Sequence, residues 1–161
     1  MICSFTGHRS IAAEIRAELI NLLSRAVEYA YNEGCRDFIC GGALGFDTLA
    51  AREVIRFRMR HNDVRLILAL PCIEQDLKWS EAQRNAYNFT LSAADEVIYT
   101  SDAYTKTCMA ERNRFLAEKC DMLIAYAGRS SSGAAQTLRM AKRMGKRIYN
   151  LYPTLHKEKD R

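Results

Sequence analysis

Two periods alternate along this chain. Short apolar runs of β character occupy residues 1–6, 37–40, 64–70, 96–99, 122–126 and 147–151. Longer stretches with apolar residues three and four apart lie between them, which is helical spacing. In the first, residues 11–32, the recurring positions are Ile11, Ile15, Leu19, Leu22, Ala26 and Tyr29, and Gly34 supplies the stop. The second carries Phe46, Leu49, Ala50, Val54 and Phe57 on one face. Helices are also predicted over 77–93, where the apolar face is weaker, over 106–119, and over 132–144 up to Gly145. Strands that are continuous apolar runs, each followed by a helix, imply a mostly parallel sheet covered on both faces. The expected architecture is one three-layer α/β domain over residues 1–155, with a charged tail from 156 to 161 that frays.

Composition narrows the setting. Apolar residues make up 48% of the 161, enough for one core and no more than one domain. The six cysteines, Cys3, Cys35, Cys40, Cys72, Cys108 and Cys120, are scattered, most within apolar runs, with no C-x-x-C and no Cys/His cluster. Free core thiols are therefore expected, and neither disulfides nor a metal site. The first residues lack the basic start and long apolar stretch of a signal peptide, and no run is long enough to span a bilayer. A cytoplasmic setting is the expectation.

The net charge of +5 raises the question of nucleic acid. Its densest part runs through Arg52, Arg56, Arg58, Arg60, His61 and Arg65. Arg52, Arg56 and Arg60 share a helical face, read here as a solvated face with weak affinity for anions rather than a track for phosphate backbone.

Unusual residues collect where strands end, which is where open α/β sheets bind ligands. The first strand runs into Thr6-Gly7-His8-Arg9, the second into Gly41-Gly42-Ala43-Leu44-Gly45-Phe46-Asp47-Thr48, and the fifth into Gly128-Arg129-Ser130-Ser131-Ser132-Gly133-Ala134. Glycine lets backbone approach a ligand, and the following helix N-terminus offers unpaired N–H groups, so a phosphate is the natural guest. No G-x-G-x-x-G follows the first strand and no G-x-x-x-x-G-K-[ST] occurs, which argues against an ordinary NAD dehydrogenase and a P-loop NTPase.

Individual residues carry two readings each. Asp47 either complements a helix dipole or contacts a ribose hydroxyl. Gln75 and Trp79 are four apart, on one helical face if the helix starts early enough; Trp79 is then core or a stacking platform. Arg112, beside Asn113, either clamps a phosphate or forms a surface ion pair. His8 is a proton carrier or, more simply, a hydrogen-bonding partner of a phosphate.

Five segments together, T-G-H-R at 6–9, G-G-A-L-G-F-D-T-L-A at 41–50, L-P-C-I-E-Q-D-L-K-W at 70–79, E-R-N-R-F-L at 111–116 and D-M-L-I-A-Y at 121–126, give the chain a resemblance over nearly its whole length. It resembles the SLOG superfamily, named for the DNA-processing protein Smf/DprA and the cytokinin-activating LOG enzymes, and within it the YpsA-like branch. The resemblance implies a Rossmann-like fold with a pocket for nucleotides or nucleotide-derived signals. It implies a lining of Gly7, His8, Arg9, Gly41, Gly42, Asp47, Gln75, Trp79, Arg112, Asn113, Ser132 and Gly133. By analogy with the superfamily it also implies a homodimer.

LOG enzymes cut an N-glycosidic bond with an arginine and a glutamate, the latter in a P-G-G-x-G-T-x-x-E motif. Arg112 stands for the arginine, but Gln136 occupies the place of the glutamate and Ala134 that of the threonine. An oxocarbenium-like transition state needs a carboxylate nearby, and an amide is a poor substitute. The expectation is a nucleotide binder of sensing or regulatory type, its ligand AMP-, ADP-ribose- or NAD-like, with no cofactor required. N-glycoside hydrolysis would need Glu74 or Glu111 in the pocket. Binding of single-stranded DNA is the remaining alternative, disfavoured because no row of aromatics accompanies the arginines.

Overall fold

A computed structural model describes residues 1–157. Its six strands are β1 (Ile2–Gly7), β2 (Asp37–Cys40), β3 (Arg65–Leu70), β4 (Glu96–Tyr99), β5 (Met122–Tyr126) and β6 (Arg147–Asn150). They form one sheet in the order β4-β3-β2-β1-β5-β6, and all five pairings are parallel. The helices are α1 (Arg16–Asn32), α2 (Phe46–Arg58), α3 (Glu81–Ala93), α4 (Cys108–Lys119), α5 (Gly133–Arg143) and the short α6 (Tyr152–Leu155). This is the expected Rossmann-like three-layer arrangement.

Burial explains the layers. Leu19, Leu23 and Val27 of α1 and Phe46, Val54 and Phe57 of α2 pack with Phe5 and Phe38 on one face of the sheet. Leu116 of α4 covers Ile39 and Ile67 on the other face, where Ala117 also packs with Leu138 and Ala141 of α5. All six cysteines are free and buried. The chain adds β2, β3 and β4 on one side of β1, then returns to lay β5 on the other. The strand order therefore reverses between β1 and β5, where Thr6 pairs with Ala125 and Gly7 with Tyr126. A crevice beyond the carboxyl ends is expected at that point.

Three local expectations are corrected. The buried stripe of α1 is Leu19, Leu23, Val27 and Ala30, rotated from the one read through Leu22, Ala26 and Tyr29. Tyr29 points outward and hydrogen-bonds Glu33 at 2.7 Å, beside Tyr149 on β6. The helix expected to start at residue 77 starts at Glu81, because Ser80 and Gln83 form a capping box there. Gln75 and Trp79 thus lie in the turns before α3 and do not share a helical face. Third, the fraying expected from residue 156 does not apply to His156. Its Nε2 lies 2.8 Å from the Tyr126 hydroxyl and its ring stacks on Tyr152 with centroids 4.0 Å apart. Residues 158–161 lie outside the described residues.

One contact ties β1 to α2. A Cβ on Gly7 would overlap the ring and Cβ of Phe46, a fully buried side chain. Because Cβ of Phe46 is close to its backbone, the ring cannot simply turn away. Gly7→Ala is expected to destabilise the fold by about 1–3 kcal/mol through overpacking. Urea unfolding of the variant checks this, and an unchanged midpoint would mean that α2 shifts freely.

Candidate functional site

A cleft of about 630 Å³ opens beyond the carboxyl ends of β1 and β5. Its walls come from four segments: residues 6–10 after β1, Ala43 and Asp47 at the start of α2, the inner face of α4, and the first turn of α5. Eight of the residues singled out above line it, namely Gly7, His8, Arg9, Asp47, Arg112, Asn113, Ser132 and Gly133.

Arg112 is the deepest cation. It is 4% exposed, and its guanidinium donates to the Gly41 carbonyl and, at 2.9 Å, to Oδ1 of Asn113. Burial depresses its pKa, opposed by the Asp47 charge. Gly41 makes room for this arrangement, since a Cβ there would sit 2.8 Å from Oδ2 of Asp47 and 2.9 Å from Nη1 of Arg112. A surface ion pair does not describe Arg112, which is buried and has no carboxylate among the described residues within ion-pairing range. It is a buried brace between α4 and the turn after β2, edged by the cleft.

Asp47 sits opposite, 5% exposed, in the first turn of α2. Its Oδ2 accepts the Ala43 N–H at 3.1 Å, whereas Oδ1 meets no donor among the described residues. Loss of hydration pushes its carboxyl up to about 6, against the pull of Arg112, the Ala43 N–H and Arg9. A carboxyl that titrates near neutrality in a cleft is a mark of a functional position. Asp47 thus stands both in the first turn of α2 and in the wall of the cleft.

Arg9 behaves differently. It is exposed at the cleft mouth, its Nη2 3.9 Å from the Met109 sulfur, and no carboxylate among the described residues comes within ion-pairing range. It also borders two neighbouring recesses. Across the cleft, Ser132 caps α5 by accepting from the Ala135 N–H at 3.2 Å. The N–H groups of Gly133 and Ala134 find no acceptor among the described residues. Arg9, these two amides and the α5 dipole therefore converge on one space.

His8 is held by the fold. Its backbone N–H donates to the Tyr126 carbonyl and its carbonyl accepts from the Phe46 N–H, both at 3.1 Å. Nε2 accepts the Gly128 N–H at 2.9 Å, so the ring proton resides on Nδ1. Its ring packs edge-on against Tyr126 and Tyr152, and burial together with His156 lowers its pKa. It serves as a neutral strut between the ends of β1 and β5.

The remaining residues divide. Gln75 and Trp79 fall in an adjoining recess of about 420 Å³ that shares Arg9 and Met109 with the cleft. The Gln75 amide donates to the Gly42 carbonyl at 3.2 Å and to the Tyr87 hydroxyl at 3.0 Å, leaving Oε1 without a donor. Gly41 and Gly42 stand behind the wall, presenting carbonyls to Arg112 and Gln75. Gln136 is exposed, donates to the Ser131 carbonyl at 2.9 Å and takes no part in the cleft. Glu111 is exposed too, accepting from Ser101 and Thr107, while Glu74 borders only the adjoining recess. The basic run also resolves. Arg56 pairs with Glu53, Arg58 with Asp95, and Arg65 with Asp37 and Glu96.

The family model described as "YspA SLOG family" matches residues 4–154. The chain belongs to the YpsA SLOG family. Among its relatives, the SPbeta prophage-derived protein YoqJ of Bacillus subtilis is 29% identical over 153 residues, covering 86% of this chain and 90% of that one. A UPF0398 protein of Halalkalibacterium halodurans is 31% identical over 118 residues, 69% of this chain and 60% of its own length. Solved structures of DNA processing protein A share the fold. The Helicobacter pylori protein gives a TM-score of 0.61 at 19% identity, covering 92% of this chain and 63% of that one. The Streptococcus pneumoniae protein gives 0.63 at 15%, covering 96% and 52%. The chain thus spans between half and two thirds of those structures.

Within this YpsA-type site, Ser10 and Met109 line the cleft without any mark in the sequence motifs, whereas Thr6, Ala43 and Leu116 belong to the segments named above but not to the expected lining. Met109 lies one helical turn before Arg112. Gly45, in the turn after β2, has φ +76°, and a Cβ there would collide with the Arg9 carbonyl. It fixes how the arginine-bearing loop approaches α2.

The Asp47 carboxyl yields a stability prediction. The unfolded chain releases this proton near 3.8 and the folded chain near 6, so folding takes up a proton between those values. Stability contributed by the neutral carboxyl is therefore present at low pH and lost as pH rises through about 6. The loss is on the order of 3 kcal/mol at one pKa unit per 1.36 kcal/mol. Asp47→Asn is expected to flatten this part of the profile. Melting temperatures of both proteins from pH 4.5 to 8 test it, and parallel curves would clear Asp47 of the effect.

Proposed function

We propose that the β1/β5 cleft binds a nucleotide or nucleotide derivative through its phosphate, and that the protein acts as a sensing or regulatory binder. The observation that carries this is that Arg9, with no carboxylate partner among the described residues, shares the cleft with the Gly133 and Ala134 N–H groups, which have no acceptor among them. Charge-assisted and backbone N–H donors are the usual holders of phosphate oxygens. A volume of about 630 Å³ suits a ligand of nucleotide size. Thr6, Ser10, Asn113 and Ser132 supply polar groups for a sugar.

Hydrolysis of an N-glycosidic bond has weaker support. Gln136, Glu74 and Glu111 all stay out of the cleft, and among the described residues Asp47 is the one carboxyl in its wall. That carboxyl gives the binding reading a pH signature. An anionic ligand is repelled by ionised Asp47, so affinity rises as pH falls through about 6.

The test is a thermal-shift screen of AMP, ATP, NAD, ADP-ribose and cyclic nucleotides. A ligand at one hundred times its dissociation constant adds about 2.7 kcal/mol of stability. Arg9→Ala is expected to weaken any hit at least about tenfold, the loss of one charge-assisted hydrogen bond at 1.5–3 kcal/mol. Binding at pH 5.5 is expected to be tighter than at pH 7.5. If the whole panel is silent at millimolar concentration, the cleft does not hold nucleotides.

A further inference from the structure

A second groove, of about 370 Å³, lies on the far side of Arg9 from the cleft. Three arginines border it from three different segments: Arg9 from the loop after β1, Arg16 from the first residue of α1, and Arg52 from α2. Among the described residues no carboxylate lines it, and none of the three arginines has one within ion-pairing range. This sets them apart from Arg56, Arg58 and Arg65, each of which is paired. Arg16 is also misplaced for helix stability, because a cation in the first turn opposes the dipole. Like charges converging on one groove repel each other, and the surplus is relieved by an anion.

The groove has more than charge. Its floor is the Gly42–Gly45 turn, with positive φ at both glycines. One wall is Trp79, half-buried and packed edge-to-face on Tyr87 with centroids 5.2 Å apart and planes at 75°. An aromatic wall beside arginines suits a base joined to a phosphate, because stacking and charge neutralisation act on adjacent parts of one group. Arg9 belongs to both spaces.

We infer that this groove is a second nucleotide subsite, so that the ligand carries two nucleotide units joined through phosphate, with Arg9 at the junction. Arg16 and Arg52 hold the second unit's anionic end, and Trp79 takes its base. The inference rests on the cleft reading above for the first unit. The shared chemistry is a phosphate-linked pair of nucleosides, available either as a pyrophosphate-bridged dinucleotide or as a phosphodiester-linked strand.

The experiment compares AMP, diadenosine diphosphate and 5′-phosphorylated dinucleotide pdApdA by calorimetry on the full chain. Trp79 is the single tryptophan, so its fluorescence reports on this groove. At least one two-unit probe is expected to bind at least about tenfold tighter than AMP, as linked units do when both sites are reached. That probe, and not AMP, quenches the tryptophan. The double variant Arg16→Ala/Arg52→Ala, both exposed positions, is expected to abolish the gain while leaving AMP affinity within about twofold. Which linkage shows the gain identifies the source. Equal affinity for all three probes, or a gain that survives the double variant, overturns the inference and leaves the cleft reading intact. Silent AMP with a two-unit probe that the double variant abolishes removes the cleft reading and keeps the groove. Silence of all three removes both.

Discussion

Arg112 is taken out of water at the strand ends, and a guanidinium moved there must have its donors met or the fold fails. Breaking a buried charge away from its partners typically costs about 3–5 kcal/mol. The carbonyl of Gly41, the amide of Asn113 and the negative potential of Asp47 meet this demand, each from a different part of the chain. A side chain at Gly41, in the turn after β2, would displace the Asp47 carboxylate and the Arg112 guanidinium. Helix α4 must enter at one height, with Met109 and Asn113 facing the cleft. The cleft is thus a by-product of satisfying one buried cation, and its shape is as fixed as that cation's partners.

The architecture was open to reading from the sequence because it depends on periodicity. Six apolar runs separated by 3.6-period stretches leave few alternatives to a parallel sheet, and strand ends at Gly7, Cys40 and Tyr126 were marked by glycine or by the close of an apolar run. What failed depended on finer balances. The α1 stripe was misread because Tyr29 is apolar in composition yet serves a surface cluster with Glu33, Tyr149 and Arg147. The α3 start was misread because Leu77 suggests a helix, whereas the decision rests with the Ser80–Gln83 capping box. His156 was misread because a charged tail hides a single aromatic anchor.

The site was legible to a different degree. Glycines at three strand ends mark the region of the cleft, and each also has a packing reason. Gly7 accommodates Phe46, Gly41 accommodates Arg112 and Asp47, and Gly128 lies against Tyr152. These glycines let the protein approach itself. Residue type alone cannot separate that use from approach to a ligand, since both require the absence of Cβ. The same limit applies to His8, whose Nε2 accepts the Gly128 N–H while the residue also lines the cleft.

The two arginines of the cleft show how burial sorts function among identical side chains. Arg112 has its Nε and Nη1 engaged by Asn113 and Gly41, and its Nη2 has only the Met109 sulfur, at 4.0 Å. Arg9 has no carboxylate partner among the described residues, faces water, and borders the cleft and two other recesses. Its long side chain loses rotamer freedom only when something arrives to hold it. The loop that carries it is nonetheless fixed by the His8 carbonyl on the Phe46 N–H and by the tight passage past Gly45. On the proposals made above, an exposed cation on a fixed base serves ligands entering from more than one direction, and selectivity then comes from the walls: the α5 amides and Asp47 on one side, Trp79 with Arg16 and Arg52 on the other.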